Sequence, residues 1–158
     1  MQIEKAKKEQ AAEIVELLRY ICGIHRKGRP DVFMSGQPKY DEEAVRRLID
    51  DEKHCMITAA EDGRVIGYMI AELVSGTKHP HIRDVKTLYI DDICVDEEYA
   101  HKGVGTALFE EAKRIAKDLD CGRIELNVWA FNEPAIRFYE KMGMTVSRMV
   151  MEYDLSSE

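Results

Sequence analysis

The sequence predicts an α/β or α+β protein with a mixed sheet, and three observations carry that reading. Strand-like and helix-like periodicities follow each other in the order strand, two helices, three strands, helix, strand, helix, strand. Asp62-Gly63 joins two strand-like runs, which is a strong signal for an antiparallel hairpin. The segment from Tyr89 to Val128 reads as strand–helix–strand, and a right-handed crossover makes its two strands parallel neighbours. At 158 residues, a single domain over 1–158 is expected, long enough for a sheet with helices packed on it.

Gln2 to Ala6 makes a short first strand. Ala11, Ile14, Val15, Leu18, Ile21 and Cys22 recur at helical spacing, so an amphipathic helix is predicted over 8–22. Residues 23–39 break the periodicity with three glycines and two prolines, the composition of a functional loop or lid. Asp41 then caps a second helix whose apolar stripe is Ala44, Val45, Leu48 and Ile49. Strands are predicted over 55–60 and 64–74 around the Asp62-Gly63 turn, followed by a polar loop over 76–84. His79 and His81 in that loop form an H-x-H pair with no third ligand nearby, so no metal is expected.

A third strand of this group covers 86–95. The next helix buries Leu108, Ala112, Ile115, Ala116 and Leu119 and keeps Glu110, Glu111, Lys113, Arg114 and Lys117 wet, ending at Cys121-Gly122. Ile124, Leu126 and Val128 alternate into a further strand. Asn132-Glu133-Pro134 starts a helix through Lys141 that Gly143 closes. Residues 144–155 read as a last strand.

Composition excludes several classes of function. The net charge of −7 argues against general nucleic-acid binding and leaves a cationic small molecule as a partner. No apolar run approaches the roughly 18 residues that a membrane helix needs, and the start MQIEKAKKEQ has no apolar core of a secretion signal. Cys22, Cys55, Cys94 and Cys121 lie far apart without a C-x-x-C pair, which favours free thiols in a reducing cytoplasm.

The chemistry concentrates in YIDDICVDEEYAHKGVGTAL, residues 89–108. A strand ends in the acidic turn Asp96-Glu97-Glu98, and Gly103 and Gly105 open a helix. The first turn of a helix leaves N–H groups without partners and carries partial positive charge, which suits a phosphate or pyrophosphate. The same glycines also fit a plain loop-to-helix joint. A dinucleotide fingerprint wants a small residue where Leu108 stands, and a P-loop wants Gly-Lys-Ser/Thr, which is missing.

In this order of elements the whole chain resembles the GNAT superfamily of N-acetyltransferases. The resemblance is sharpest in YIDDICVDEEYAHKGVGTAL and NVWAFNEPAIRFYEKMGM. It implies a mostly antiparallel central sheet with one parallel strand–helix–strand unit and helices on both faces. Family members bind acetyl-CoA on a turn of the form Gln/Arg-x-x-Gly-x-Gly/Ala, matched here by Gly103 and Gly105 with Ala100 in the leading position. By that match the amides of His101, Lys102, Gly103, Val104, Gly105 and Thr106 face the pyrophosphate. The strand ending at Ile93, Cys94 and Val95 pairs its backbone with the pantetheine arm and the thioester carbonyl. Asn132 contacts the cofactor, and Tyr139 protonates the departing thiolate. Read without the resemblance, Asn132 is a helix cap and Tyr139 a core aromatic beside Phe138.

Direct acetyl transfer to an amine needs alignment of the amine, removal of its proton and quenching of the thiolate. A tyrosine, with a pKa of about 10, suits the last task. Cys94 offers an acyl-enzyme route instead, but no His partner marks it, and packing is its expected role. The motifs DDICV and NEPAIRFYE look like those of the spermidine/spermine N-acetyltransferases, which carry an acidic residue at the position of Asp91 and draw an amine proton through it. Simple alternation puts Tyr89, Asp91, Ile93 and Val95 on one face and Asp92 and Cys94 on the other, and a bulge near the end of this strand, usual in the family, would shift that parity beyond it. The expected function is thus an acetyl-CoA-dependent N-acetyltransferase of the cytoplasm acting on a small primary amine, including polyamine-like cations, with Tyr139 and Asp91 catalytic. A homodimer is within its scope, while nucleic acid, membrane and metal are not. Acetylation of protein amino groups, or non-catalytic acyl-CoA binding on the same fold, are the alternatives.

Overall fold

A computed structural model describes residues 1–34, 36–77 and 79–157. Two compact units make up the chain, Met1–Asn127 and Val128–Glu158. The first holds a five-stranded sheet in sequence order: β1 (Gln2–Lys5), β2 (His54–Glu61), β3 (Arg64–Val74), β4 (Thr87–Val95) and β5 (Arg123–Leu126). β1 to β4 pair antiparallel, and β5 pairs parallel to β4, as the crossover through the intervening helix demands. At the β2–β3 hairpin Asp62 and Gly63 both take positive φ, 50° and 81°, the conformation whose twist matches the flanking strands.

The helices cover both faces of this sheet. α1 (Ala11–Gly28) and α2 (Glu42–Asp50) bury Ile14, Val15, Leu18 and Val45 in one cluster with Met56, Tyr68, Ile70 and Cys94. Each such side chain, fully withdrawn from water, contributes about 1.5–3 kcal/mol before conformational entropy is subtracted. α3 (Val104–Asp118) buries Val104, Leu108, Phe109, Ala112 and Ala116. It closes on the opposite face through Gly67, where a Cβ would stand 3.2 Å from Val104 Cγ1 and 3.3 Å from Leu108 Cδ1. Asp41 caps α2 as expected, accepting from the Ala44 N–H at 2.8 Å.

Three boundaries differ from the sequence expectation. α1 runs to Gly28, so residues 23–28 of the expected loop are helical. Gly23 is tolerated inside an otherwise regular helix, and Pro30 stops it by disfavouring the helical conformation of Arg29. The helix α3 ends at Asp118 rather than at Cys121-Gly122. Asp120 takes the left-handed conformation, φ 53°, and the Cys121 N–H returns to the Ala116 carbonyl at 2.8 Å. β5 ends at Leu126, leaving Val128 outside it.

In the second unit Asn132 caps α4 (Glu133–Lys141), its side chain accepting from the Ala135 N–H at 3.3 Å. Gly143, at φ 91°, closes that helix: its N–H reaches Glu140 O at 2.9 Å and the Met144 N–H reaches Tyr139 O at 3.0 Å. The strand expected over 144–155 is not formed: residues 144–154 hold no regular element, and a 3₁₀ turn covers Leu155–Ser157. Alternation supplies a strand's two faces, but a strand exists only where another backbone completes its hydrogen bonds. No ladder to this segment is present among the described residues.

Candidate active site

The backbone of β4 departs from simple alternation at Asp91. Ile70 pairs with Asp92 and Ala71 with Ile90, so Asp91 is the extra residue of a β-bulge. The bulge corrects the expected faces. Tyr89, opposite Glu72, lies on the same side as Asp92 and Cys94, while Ile93 and Val95 lie on the side of Ile90. Asp91 is therefore not grouped with Tyr89, Ile93 and Val95 by a two-residue period.

The Asp91 side chain is about a quarter exposed and meets two residues that precede α2. Its Oδ1 accepts from Lys39 Nζ at 2.8 Å and its Oδ2 from the Tyr40 hydroxyl at 2.8 Å. Lys39 Nζ also donates to the Asp91 main-chain oxygen at 3.1 Å. Burial, then the hydrogen bond to Asp91, pushes the Tyr40 phenol up. Burial raises the neighbouring Asp92 carboxyl to about 6; Lys39 opposes that rise and Asp91 adds to it. The Tyr68 hydroxyl is fully buried and close enough to Asp92 for each to perturb the other. It nevertheless makes no hydrogen bond of ordinary geometry among the described residues.

The expected cofactor residues of the first unit fall in two adjoining places. β5 pairs with β4 only over residues 87–90, so from Asp91 to Val95 that edge of β4 has no ladder partner among the described residues. The backbone of Ile93, Cys94 and Val95 lies on this stretch. The second place is the start of α3. His101 and Gly103 take positive φ, 61° and 85°, Gly103 is the N-cap, and no side chain caps the helix. The first helical hydrogen bond runs from the Ala107 N–H to Gly103 O at 3.0 Å, so the amides of Val104, Gly105 and Thr106 lie ahead of the ladder. Gly67 ties the two places together, because the Cβ it lacks would stand 3.1 Å from Cys94 O as well as against Val104. An open strand edge beside uncapped helical amides fits an extended chain that ends in phosphates.

Cys94 is buried, with its thiol directed at the Leu17 carbonyl at 3.6 Å, and burial pushes its pKa well up. It packs, as expected, and is a poor nucleophile. In the second unit Asn132 is the N-cap of α4 and Tyr139 lies within that helix, seven residues on, with its ring edge-on to Phe138 at 5.3 Å. His79 and His81 have ring centroids 5.7 Å apart. No group of three or more His, Cys, Asp or Glu able to hold a metal is present among the described residues.

Comparison with known proteins decides what the fold is. The profile of the acetyltransferase (GNAT) family matches residues 18–144. The chain belongs to the GNAT family. Among GNAT relatives, the L-amino acid N-acetyltransferase AaaT of Escherichia coli (strain K12) is 31% identical over 110 residues. That match takes in 69% of this chain and 64% of AaaT, so the chain covers under two thirds of that relative. The thialysine N-epsilon-acetyltransferase of Mus musculus is 22% identical over 151 residues, 89% of this chain and 82% of that protein. Among solved structures, a tetramutant of the BH1408 protein from Bacillus halodurans superposes with a TM-score of 0.93 at 31% identity, over 98% of this chain and all of the other.

Sequence reasoning missed Lys39, Tyr40, Tyr68 and Gly67. Lys39 and Tyr40 reach Asp91 across more than fifty positions, which no local pattern reveals. Gly67 did leave a signal, as a glycine interrupting an apolar strand marks a close approach of other backbone.

Proposed function

We propose that this GNAT protein is an acetyl-CoA-dependent N-acetyltransferase acting on a primary amine of a small cationic molecule. The observation that carries the reading is the bulge at Asp91. It sets a carboxylate already engaged with an ammonium group where the free edge of β4 begins. The uncapped amides at the start of α3 support acetyl-CoA as the second substrate. When bound, that cofactor supplies acetyl as a thioester, which is electrophilic without further activation.

Residues 101–106 would hold its pyrophosphate and the backbone of Ile93, Cys94 and Val95 its extended arm, with Asn132 a further contact. Asp91 holds the acceptor as an ammonium. Asp92 takes up the amine's proton, a role supported by a carboxyl raised to about 6, far closer to neutrality than an ordinary aspartate. Tyr139 keeps a proton on its hydroxyl for the leaving sulfur. The relatives that act on L-amino acids and on thialysine support an amine acceptor of small size.

The reading further takes 1–158 as one GNAT domain, supported by a family match that crosses the boundary after Asn127. It places the protein in the cytoplasm as a homodimer. Four free cysteines support the compartment, and no helix among the described residues is long and apolar enough to cross a membrane. Thiol release from acetyl-CoA, followed across a panel of amines, tests the proposal. Tight acetyl-CoA binding with no release for any amine overturns it in favour of a non-catalytic acyl-CoA-binding role.

A further inference from the structure

Three carboxylates face Tyr40: Asp91 through a hydrogen bond, and Asp92 and Glu72 through their charge. One cation is set among them. Lys39 Nζ has two oxygens of Asp91 within 3.1 Å, and it lies 5.6 Å from the centre of the Tyr40 ring. The fully buried Tyr68 hydroxyl lies beside Asp92 and makes no hydrogen bond of ordinary geometry among the described residues. A cluster of carboxylates beside an aromatic ring suits a cationic donor group. Lys39 is not locked into it: the side chain is 41% exposed and belongs to the irregular segment between α1 and α2.

We propose that Lys39 occupies, within the same chain, the seat of the acceptor's ammonium group, and that a substrate enters by exchanging with it on Asp91. This rests on the amine-acetylating function proposed above and narrows its substrate class. What Lys39 presents to Asp91 is a primary ammonium on an unbranched four-carbon stem beside the Tyr40 ring. The favoured acceptor therefore carries the same group, a primary alkylammonium on a flexible methylene stem. Aromatic amines and bulky branched amines fit the seat poorly. Because two ammonium groups compete for one carboxylate, Lys39 also weakens capture of every cationic acceptor. It sets a threshold that only a strongly cationic amine passes.

Calorimetry with n-butylammonium as the probe, at fixed ionic strength and with and without CoA, reads this exchange directly. Lys39→Met keeps the stem and removes the charge, and it is expected to bind the probe at least fivefold more tightly than the wild type. Lys39→Arg keeps a cation in the seat and gains nothing. In Lys39→Met/Asp91→Asn the gain disappears. In steady-state assays Lys39→Met lowers KM for n-butylamine and leaves KM for aniline, neutral at the same pH, where it was. The proposal is overturned if folded Lys39→Met binds n-butylammonium no more tightly than the wild type, or if the gain survives the loss of Asp91. Failure of the transferase reading looks different: no amine releases thiol from acetyl-CoA, whatever the calorimetry shows for Lys39.

Discussion

Asp91 and Asp92 are adjacent in sequence, yet the bulge gives them different surroundings. Asp91 is met by Lys39 and Tyr40, whereas burial holds Asp92 near 6. If Asp92 is the base, its ionised form is the active one, so kcat/KM for an amine falls as pH drops through about 6. Asp92→Asn is expected to lower the rate and to abolish that acid limb; a pH–rate profile that keeps the limb in the variant assigns it to another group. Stability runs the opposite way. A carboxyl whose folded value lies above its ordinary 3.8 favours the folded state while it is protonated, and that advantage is lost as pH rises from about 4 to about 6. Relative to wild type, Asp92→Asn therefore gains melting temperature above pH 6, which a pH series of thermal unfolding measures. At the other proposed proton-transfer position, Tyr139→Phe keeps the ring against Phe138 and removes only the hydroxyl. We expect kcat to drop by about 10² or more with little change in stability. Wild-type turnover in that variant leaves Tyr139 as an aromatic packing residue.

Among the elements, α3 is where local sequence says most. Gly103 is required by its left-handed φ of 85°, whereas Gly105 sits within the first helical turn and has no such need. On the proposed cofactor reading, a glycine at 105 lets a ligand approach the backbone closely. Gly105→Val is expected to fold normally and to weaken acetyl-CoA binding at least tenfold by calorimetry; unchanged affinity would remove the phosphate cradle from this turn. The hairpin at Asp62-Gly63, the Asp41 and Asn132 caps and the parallel β4–β5 pair were legible because each is written in residues close together or in a crossover rule. The bulge was expected from the family resemblance alone and its position was not legible, since DDIC alternates plausibly in either register and only pairing with β3 singles out Asp91. The extension of α1 was hidden by Gly23, which reads as a breaker although it costs a helix only about 1 kcal/mol against alanine. The unformed last strand is the converse error. Residues 144–155 have a strand's alternation, and no alternation can supply a partner backbone.

For the whole molecule, that same segment argues about assembly. Val146, Met149, Val150 and Met151 are 66%, 78%, 92% and 88% exposed, a run of apolar side chains in a chain whose net charge is −7. Scattered single apolar residues on a surface are ordinary, but Met149, Val150 and Met151 in succession suit a surface that a partner covers. The occupant that needs no further component is a second copy of this chain, because a two-fold arrangement presents the same run from both sides and closes on itself. The strand-like reading of 144–155 suits the run to join a sheet. We therefore expect sedimentation equilibrium to return twice the chain mass of 18.2 kDa. In Met149→Glu/Met151→Glu, two carboxylates would have to be buried unpaired in that interface, which is costly enough to return the monomer. A wild-type protein that sediments as a monomer would show that the run serves something other than self-association.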